Sequence, residues 1–235
     1  MADQPTSQTL DTIPLFDCLS NEERDRLAKA CTWRRYAPQE QIIDRDQDST
    51  DVFFVVRGRV RIVIYSLSGR EIAFDDLDTG QFFGELAGID QHPRSASVVA
   101  VKPTWVASLS GRLFLDTVCE HRAVAEGLLR HLANMIRRAT ERILDLSTLG
   151  ANNRVHAEIL RLARPTLDED ENTAVIKPIP VHSDIAARVS TARETVARVF
   201  GDLARSGIVE RKEDHLLVCD FERLEEMVED VRGEI

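Results

Sequence analysis

Two short stretches of this chain bring together residue types that can do chemistry as a group. The first runs Phe82-Phe83-Gly84-Glu85-Leu86-Ala87-Gly88 and, after a short gap, Pro93-Arg94-Ser95-Ala96-Ser97. Gly84 lets backbone come close to a ligand. Glu85 can accept a hydrogen bond from a sugar hydroxyl, and Arg94 offers a planar fork to phosphate oxygens. Ser95 and the backbone N–H groups beside it, read as the start of a short helical turn, suit the same anion. Spacing alone leaves a second reading open, in which Glu85 and Arg94 form a structural salt bridge between two turns.

The second stretch runs from Ser183 to Leu203. Ile185, Ala186, Val189, Val196, Val199 and Leu203 give apolar faces to two short helices packed across a turn at Ser190. Thr191-Ala192-Arg193-Glu194 fits a capping box at the start of the second helix. Glu194 and Arg198 share one face, with Arg193 beside them. Helices that read DNA present their base-contacting residues at that end. There Arg can pair with guanine and Glu can accept from cytosine N4. The Glu–Arg pair alone is also what any solvated helix surface carries.

Elements able to position these groups are visible in the pattern. Glu22 to Ala30 reads as a helix capped by Ser20 or Asn21. From Trp33 to Leu109, short runs rich in Val, Ile and Phe alternate with Gly, Asp and Pro: Gln41 to Ile43, Val52 to Val56, Val60 to Tyr65, Glu71 to Phe74, Ser97 to Val101, and Trp105 to Leu109. Ser66-Leu67-Ser68-Gly69 looks like a hairpin turn. Such spacing predicts an antiparallel barrel or jelly roll. Residues 116–149 contain no proline, and Leu129, Leu132, Ile136, Ala139, Ile143 and Leu146 repeat as a heptad seam. That seam predicts a coiled-coil homodimer through 116–149, the alternative being a helix buried within its own domain. An amphipathic helix follows from Arg154 to Arg164, then an acidic loop at Asp168 to Glu171 and a β-like run from Ala174 to Ile179. Helices over Ser183–Val189 and Thr191–Ser206, a wing strand at Leu216 to Cys219, and an acidic tail over Glu222–Glu234 complete the chain. The fold class expected is α+β: a β-roll with its dimerisation helix over 1–150, and a winged helix-turn-helix over 151–235.

Charge argues against nucleic acid at first sight. The net charge is −10, with 18 basic against 22 acidic residues in 1–150 and 12 against 18 in 151–235. The acids are segregated, however, and Ser183 to Lys212 holds six basic residues against four acidic. A local basic face of this kind binds DNA with steep salt dependence. Cys18, Cys31, Cys119 and Cys219 are scattered and read as small core residues. His92, His121, His131, His156, His182 and His215 make no metal-ligand pair in the strands and read as surface or satisfied core residues. No hydrolytic triad, metal set or other catalytic constellation is visible, which weighs against a cupin-type enzyme. The polar N-terminus lacks a signal-peptide pattern, and the apolar runs are too short to span a bilayer. A cytoplasmic protein is expected.

Gly-Glu-Leu-Ala followed by Pro-Arg-Ser-Ala inside a β-roll resembles the phosphate-binding cassette of the cyclic-AMP receptor protein (CRP/FNR) family of bacterial regulators. Arg-Glu-Thr-Val-x-Arg likewise resembles that family's recognition helix. The likeness covers nearly the whole chain, with roll, long helix and C-terminal domain in the same order. It implies that Glu85 takes the ribose 2′-hydroxyl and that Arg94 and Ser95 take the cyclic phosphate. Gly84, Leu86, Ala87 and Ala96 complete the cassette, while Ile62 and Phe74 pack against the base. It also implies that Arg193, Glu194, Thr195 and Arg198 meet DNA, and that RNA polymerase is a further partner. Two departures stand out: the usual turn Gly is Ser190, and the Ser usually preceding the Arg is Ala192. On the long helix, Ala139 stands where the family's base-contacting Thr would be, and Thr140 where its Ser would be. Cyclic AMP and cyclic GMP are therefore expected to bind within about an order of magnitude of each other, one neutral hydrogen bond being worth about 0.5–1.5 kcal/mol. A redox- or haem-sensing regulator on the same scaffold is the nearer alternative, although Cys18 and Cys31 do not reproduce the closely spaced cysteines of cluster-binding relatives.

Overall fold

The protein is described by a computed structural model covering residues 9–65 and 71–233. The Ser66 to Gly69 turn lies outside the described residues. Two compact units divide the chain, the first ending at Met135 and the second beginning at Ile136.

In the first unit, α1 (Asn21–Ala30) is capped by Ser20, whose Oγ accepts from Glu23 N while the Glu23 carboxylate accepts from Ser20 N. Eight strands follow: β1 (Thr32–Tyr36), β2 (Gln41–Ile43), β3 (Val52–Arg57), β4 (Arg59–Tyr65), β5 (Glu71–Asp78), β6 (Phe82–Phe83), β7 (Ser97–Ala100) and β8 (Thr104–Leu109), with the short α2 (Glu85–Asp90) between β6 and β7. They form two antiparallel sheets, β1-β8-β3-β6 and β2-β7-β4-β5, which is the expected roll. β1 and β6 are strands that the apolar runs did not reveal, because each offers too few alternating positions.

The run Val52 to Val56 is apolar throughout because both faces of β3 are covered. Val55 enters an inner cluster to which every strand of the roll contributes, including Tyr36, Ile43, Val60, Leu77, Phe83, Val98 and Val106. Val52, Phe54 and Val56 point the other way, into a cluster with Phe16, Leu27, Phe114, Val124 and Leu128 of the helical layer. Each large side chain so buried contributes about 1.5–3 kcal/mol.

The helix expected from residue 116 is two helices, α3 (Gly111–Glu120) and α4 (Arg122–Thr148), separated at His121, whose backbone is extended. The break lets Phe114 of α3 and Val124 and Leu128 of α4 reach the same core. α4 runs through the boundary between the two units.

In the second unit come α5 (Ala151–Ala163), β9 (Leu167–Asp168), β10 (Thr173–Ile176), α6 (His182–Arg188), α7 (Arg193–Arg205), β11 (Val209–Arg211), β12 (Leu216–Val218) and α8 (Phe221–Gly233). The strands pair in the order β11-β12-β10-β9. The acidic C-terminal segment is not a tail: Phe221, Leu224 and Val228 lie on one face of α8 and are buried with Val155, Ile159, Ile185, Val199 and Leu203. Counting charge over Glu222–Glu234 hid that stripe. α7 begins one residue later than the capping box required, with Ala192 rather than Thr191 at the N-cap and no side-chain cap hydrogen bond.

Candidate functional site

β6 delivers the chain to Gly84, whose φ is +80°, in the left-handed region that glycine adopts without strain. A Cβ here would lie 2.6 Å from Arg94 Nη1 and 3.0 Å from Asp51 O, so the bare backbone also makes room for the guanidinium. Arg94 follows α2 and is anchored by its own backbone, with Arg94 N donating to Gln47 O at 3.2 Å and Asp46 N donating to Arg94 O at 3.1 Å. Its fork donates to Ser49 Oγ at 3.0 Å, Gly84 O at 2.9 Å and Asp51 O at 2.7 Å. It lies over the Phe53 ring at 5.4 Å, and Phe53 stacks on Phe83 at 5.2 Å.

Arg94 is only 3% exposed, and its hydrogen bonds end on neutral oxygens rather than on Glu85. The structural salt bridge considered above is therefore not the arrangement found. Burial pushes the Arg94 pKa down, while the negative charges of Asp51 and Glu85 push it back up. Its compensating charge therefore comes through space from those two carboxylates, neither of which is a hydrogen-bond acceptor of the guanidinium.

Glu85 opens α2 and is also 3% exposed, its Oε1 3.6 Å from Nε2 of His131 on α4. Leu86 is exposed, Ala87 buried and Ala96 half-buried. Ser95 lies exposed in the bend before β7 and not at a helix start, because α2 precedes Arg94. Ile62 packs, half-buried, against the inner cluster that includes Phe53 and Phe83. Phe74 is 48% exposed at a bulge, where Ile62 pairs with Asp75 and Val63 with Ala73. An extra residue of this kind re-aims a side chain out of the regular alternation.

Sequence reasoning missed Ser49, Asp51, Phe53 and His131 as parts of this site. Asp51 and Gly84 contribute main-chain carbonyls, which carry no side-chain signature. It also missed the pair of Arg61 and Asp76 on β4 and β5, where Nε and Oδ1 are 2.7 Å apart and both side chains are 12% exposed.

In the second unit, α6 and α7 are joined by a turn with Ser190 at φ +52°, so the serine adopts the conformation a glycine would take there. Arg154 of α5 fastens the turn: Nε donates to Val189 O at 2.9 Å, Nη2 to Ser190 O at 3.3 Å and Nη1 to Leu149 O at 2.9 Å. Val196, Val199 and Leu203 bury one face of α7 and turn the other outward. On that outer face Arg193 and Glu194 are exposed and Thr195 is half-buried. Arg198 is exposed too, with its Nη2 donating to Asn152 Oδ1 at 3.1 Å. The imidazole pKa of His182 is lowered by burial and then by the positive charges of Arg193 and of Arg211 on β11.

Ala139 and Thr140 are exposed on α4, and Thr140 Oγ1 donates to Ile136 O at 3.0 Å. Cys18 and Cys119 are exposed rather than core residues, while Cys31 and Cys219 are partly buried; all four are free. Burial raises the Cys31 thiol to about 12. His131 Nε2 and His156 Nδ1 are buried without a hydrogen bond, so neither is a satisfied core histidine. Among the described residues no group of three or more His, Cys, Asp or Glu could hold a metal, and no helix is long and apolar enough to cross a membrane.

Residues 33–121 match the family model of the cyclic nucleotide-binding domain, and residues 153–227 match that of the Crp-like helix-turn-helix domain. The cyclic AMP receptor protein of Thermus thermophilus is 35% identical over 197 residues, covering 83% of this chain and 88% of that protein. The cAMP-activated global transcriptional regulator Vfr of Pseudomonas aeruginosa is 30% identical over 199 residues, covering 83% and 92%. Among solved structures, a CooA mutant from Carboxydothermus hydrogenoformans shares the fold at a TM-score of 0.79, with 23% identity over 94% of this chain and 97% of that one. These relatives are regulators rather than enzymes. With both halves matched in order, the chain belongs to the cyclic-AMP receptor protein (CRP/FNR) family, as a DNA-binding transcriptional regulator with a cyclic-nucleotide-binding domain.

Proposed function

We propose that this regulator is switched by a cyclic purine nucleotide held between Gly84 and Ala96, with Arg94 and Ser95 on the cyclic phosphate and Glu85 on the ribose 2′-hydroxyl. The observation that carries the reading is Arg94. Its cation is buried with only neutral oxygens as hydrogen-bond acceptors, and a ligand phosphate would give the remaining N–H groups of the fork a charged acceptor. Gly84, Leu86, Ala87 and Ala96 shape the loop around that anion, and Ile62 and Phe74 offer apolar surface to the base.

The protein acts as a homodimer through α4. Leu129, Ile136 and Ile143 are 65%, 67% and 65% exposed at heptad spacing on the single chain, an apolar seam that a second copy covers. Ala139 and Thr140 on the same helix meet the purine. Arg193, Glu194, Thr195 and Arg198 of each copy read a near-palindromic site whose halves lie about 34 Å apart. Ligand binding favours the DNA-competent arrangement because the nucleotide binds that state better. Such a regulator works in the cytoplasm and influences RNA polymerase at its promoters. The test is calorimetric titration of the full chain with cyclic AMP and cyclic GMP, with and without operator-like DNA. The expected result is affinities within about tenfold of each other, since one hydroxyl is retained at Thr140 and one lost at Ala139, with Ala139→Thr shifting preference toward cyclic AMP. Affinities more than about a hundredfold apart would place selectivity in the roll instead.

A further inference from the structure

We propose that His131 is a positioning residue for Glu85, and that this pair passes the state of the cradle to helix α4; the proposal rests on the cyclic-nucleotide reading. Glu85 opens α2, whereas His131 lies on α4, far away in sequence and on a different layer of the roll. The fold nevertheless sets His131 Nε2 3.6 Å from Glu85 Oε1. That separation is too long for a hydrogen bond but within the range of an ion pair. Nε2 is buried and makes no hydrogen bond. A buried polar nitrogen needs a partner, and the Glu85 carboxylate is the acceptor it faces.

The imidazole does not float. Its ring packs at a tilt against Phe82 of β6 with centroids 4.4 Å apart, and Phe82 in turn contacts Phe54 and Phe114 at 6.3 and 6.5 Å. Glu85 is equally constrained, because Gly84 immediately before it is fixed by its carbonyl's bond to Arg94. Two groups on rigid supports therefore face each other across less than an ångström of slack. A carboxylate that accepts both an imidazole N–H and a ligand hydroxyl has little freedom left, so closing the Nε2–Oε1 gap aims Glu85 at the sugar. The same closure draws on the helix that carries Ile136 and Ile143 beyond it. Nothing in the cassette motif marks His131, which enters the site only through the packing of α4.

Two substitutions separate this role from simple packing, both made in the full-length chain. His131→Phe keeps a ring against Phe82 and removes the N–H donor. His131→Gln keeps a donor and removes the ring. Each is titrated with cyclic AMP and with operator-like DNA, alone and combined with Glu85→Gln. Positioning predicts that His131→Phe weakens cyclic AMP binding about tenfold or more, the scale of a hydrogen bond to a charged group. It should also shrink the ligand-induced gain in DNA affinity. His131→Gln should stay within about threefold of the parent. The double variant His131→Phe with Glu85→Gln should bind no worse than Glu85→Gln alone, because the pair acts as a unit. A harmless Phe with a harmful Gln, or effects that simply multiply in the double variant, would overturn the proposal and leave His131 as packing for Phe82. If His131→Phe does not fold, His131→Leu takes its place as the variant without a donor, and binding weakened about tenfold beside a near-parental His131→Gln supports positioning, whereas equal binding by the two overturns it. A parent protein that binds no cyclic nucleotide would overturn the underlying reading as well, and is recognised by the parent's own flat titration.

Discussion

Arg94 is almost wholly buried, its guanidinium ringed by Ser49, Asp51 and Gly84, whereas Arg193 and Arg198 project from α7 toward solvent. The same side chain is used in two opposite electrostatic settings. A buried fork on fixed acceptors is desolvated in advance and suits one small anion of defined shape. Exposed arginines on a helix suit a long polyanion, where affinity comes from released counterions and choice comes from base edges. The contrast also resolves the net charge of −10. Residues 183–212 hold six basic residues against four acidic, so a locally basic segment coexists with that net charge.

The largest expected effect tests whether the two settings serve one switch. Ile136→Glu puts a charge on the proposed dimer seam, and an unpaired buried charge costs several kcal/mol. Sedimentation should then report monomer, and ligand should no longer improve binding to a palindromic site. An unchanged dimer would move the interface elsewhere.

Next in size is the buried arginine itself. Arg94→Ala should cost about 2–4 kcal/mol in cyclic-nucleotide binding by calorimetry, through loss of a charge-assisted fork. Arg94→Lys should recover little, because a compact ammonium lacks the planar fork that spans Ser49, Asp51 and Gly84. Raising salt sharpens the comparison: nucleotide affinity should change little, while DNA affinity falls steeply.

On the exposed side the losses are smaller and divide by kind. Glu194→Ala should relax preference at one base position per half-site by about 1–3 kcal/mol, measured against a panel of operator variants. Equal weakening on every sequence would instead make Glu194 a residue that orients the helix.

The smallest effect is a pH dependence confined to the second unit. Burial lowers the His156 pKa below the usual histidine range, with the Asp202 charge opposing it. The unfolded chain therefore takes up a proton near pH 6.5 that the folded unit refuses. Stability of this unit should fall as pH drops below about 6.5, and His156→Leu should flatten that limb in thermal melts. A parallel decline in both proteins would remove His156 as the cause.

Much of the architecture was legible in the residues, but unevenly. The cap of α1 at Ser20, one of the two residues read as able to supply it, and the helix pair around Ser190 rest on contacts a few residues apart and were found where expected, while the apolar runs marked strands whose pairing, such as Phe54 with Ala107, spans much of the roll. The errors came where local evidence was ambiguous. The absence of proline over 116–149 permits one helix, yet the shared core of Phe114 and Val124 requires a break at His121. The acids of α8 disguised its buried stripe of Phe221, Leu224 and Val228.

By itself the sequence determined which residues are candidates for the chemistry and in what order they come: Glu85 and Arg94 in one cassette, Arg193, Glu194 and Arg198 near the start of one helix. Side-chain type and short-range periodicity are properties of the chain, so no fold is needed to see them. Only the tertiary structure decided what surrounds each group. Arg94 meets Ser49 and Asp51 across 45 and 43 residues of chain, through a serine hydroxyl and a backbone carbonyl of the kind every residue possesses. His131 meets Glu85 because Val124 and Leu128 seat α4 against the core beneath Phe82. Burial and long-range contact follow from how the sheets and helices close over one another, and that closure fixes whether an arginine is desolvated, as Arg94 is, or left in water, as Arg193 and Arg198 are.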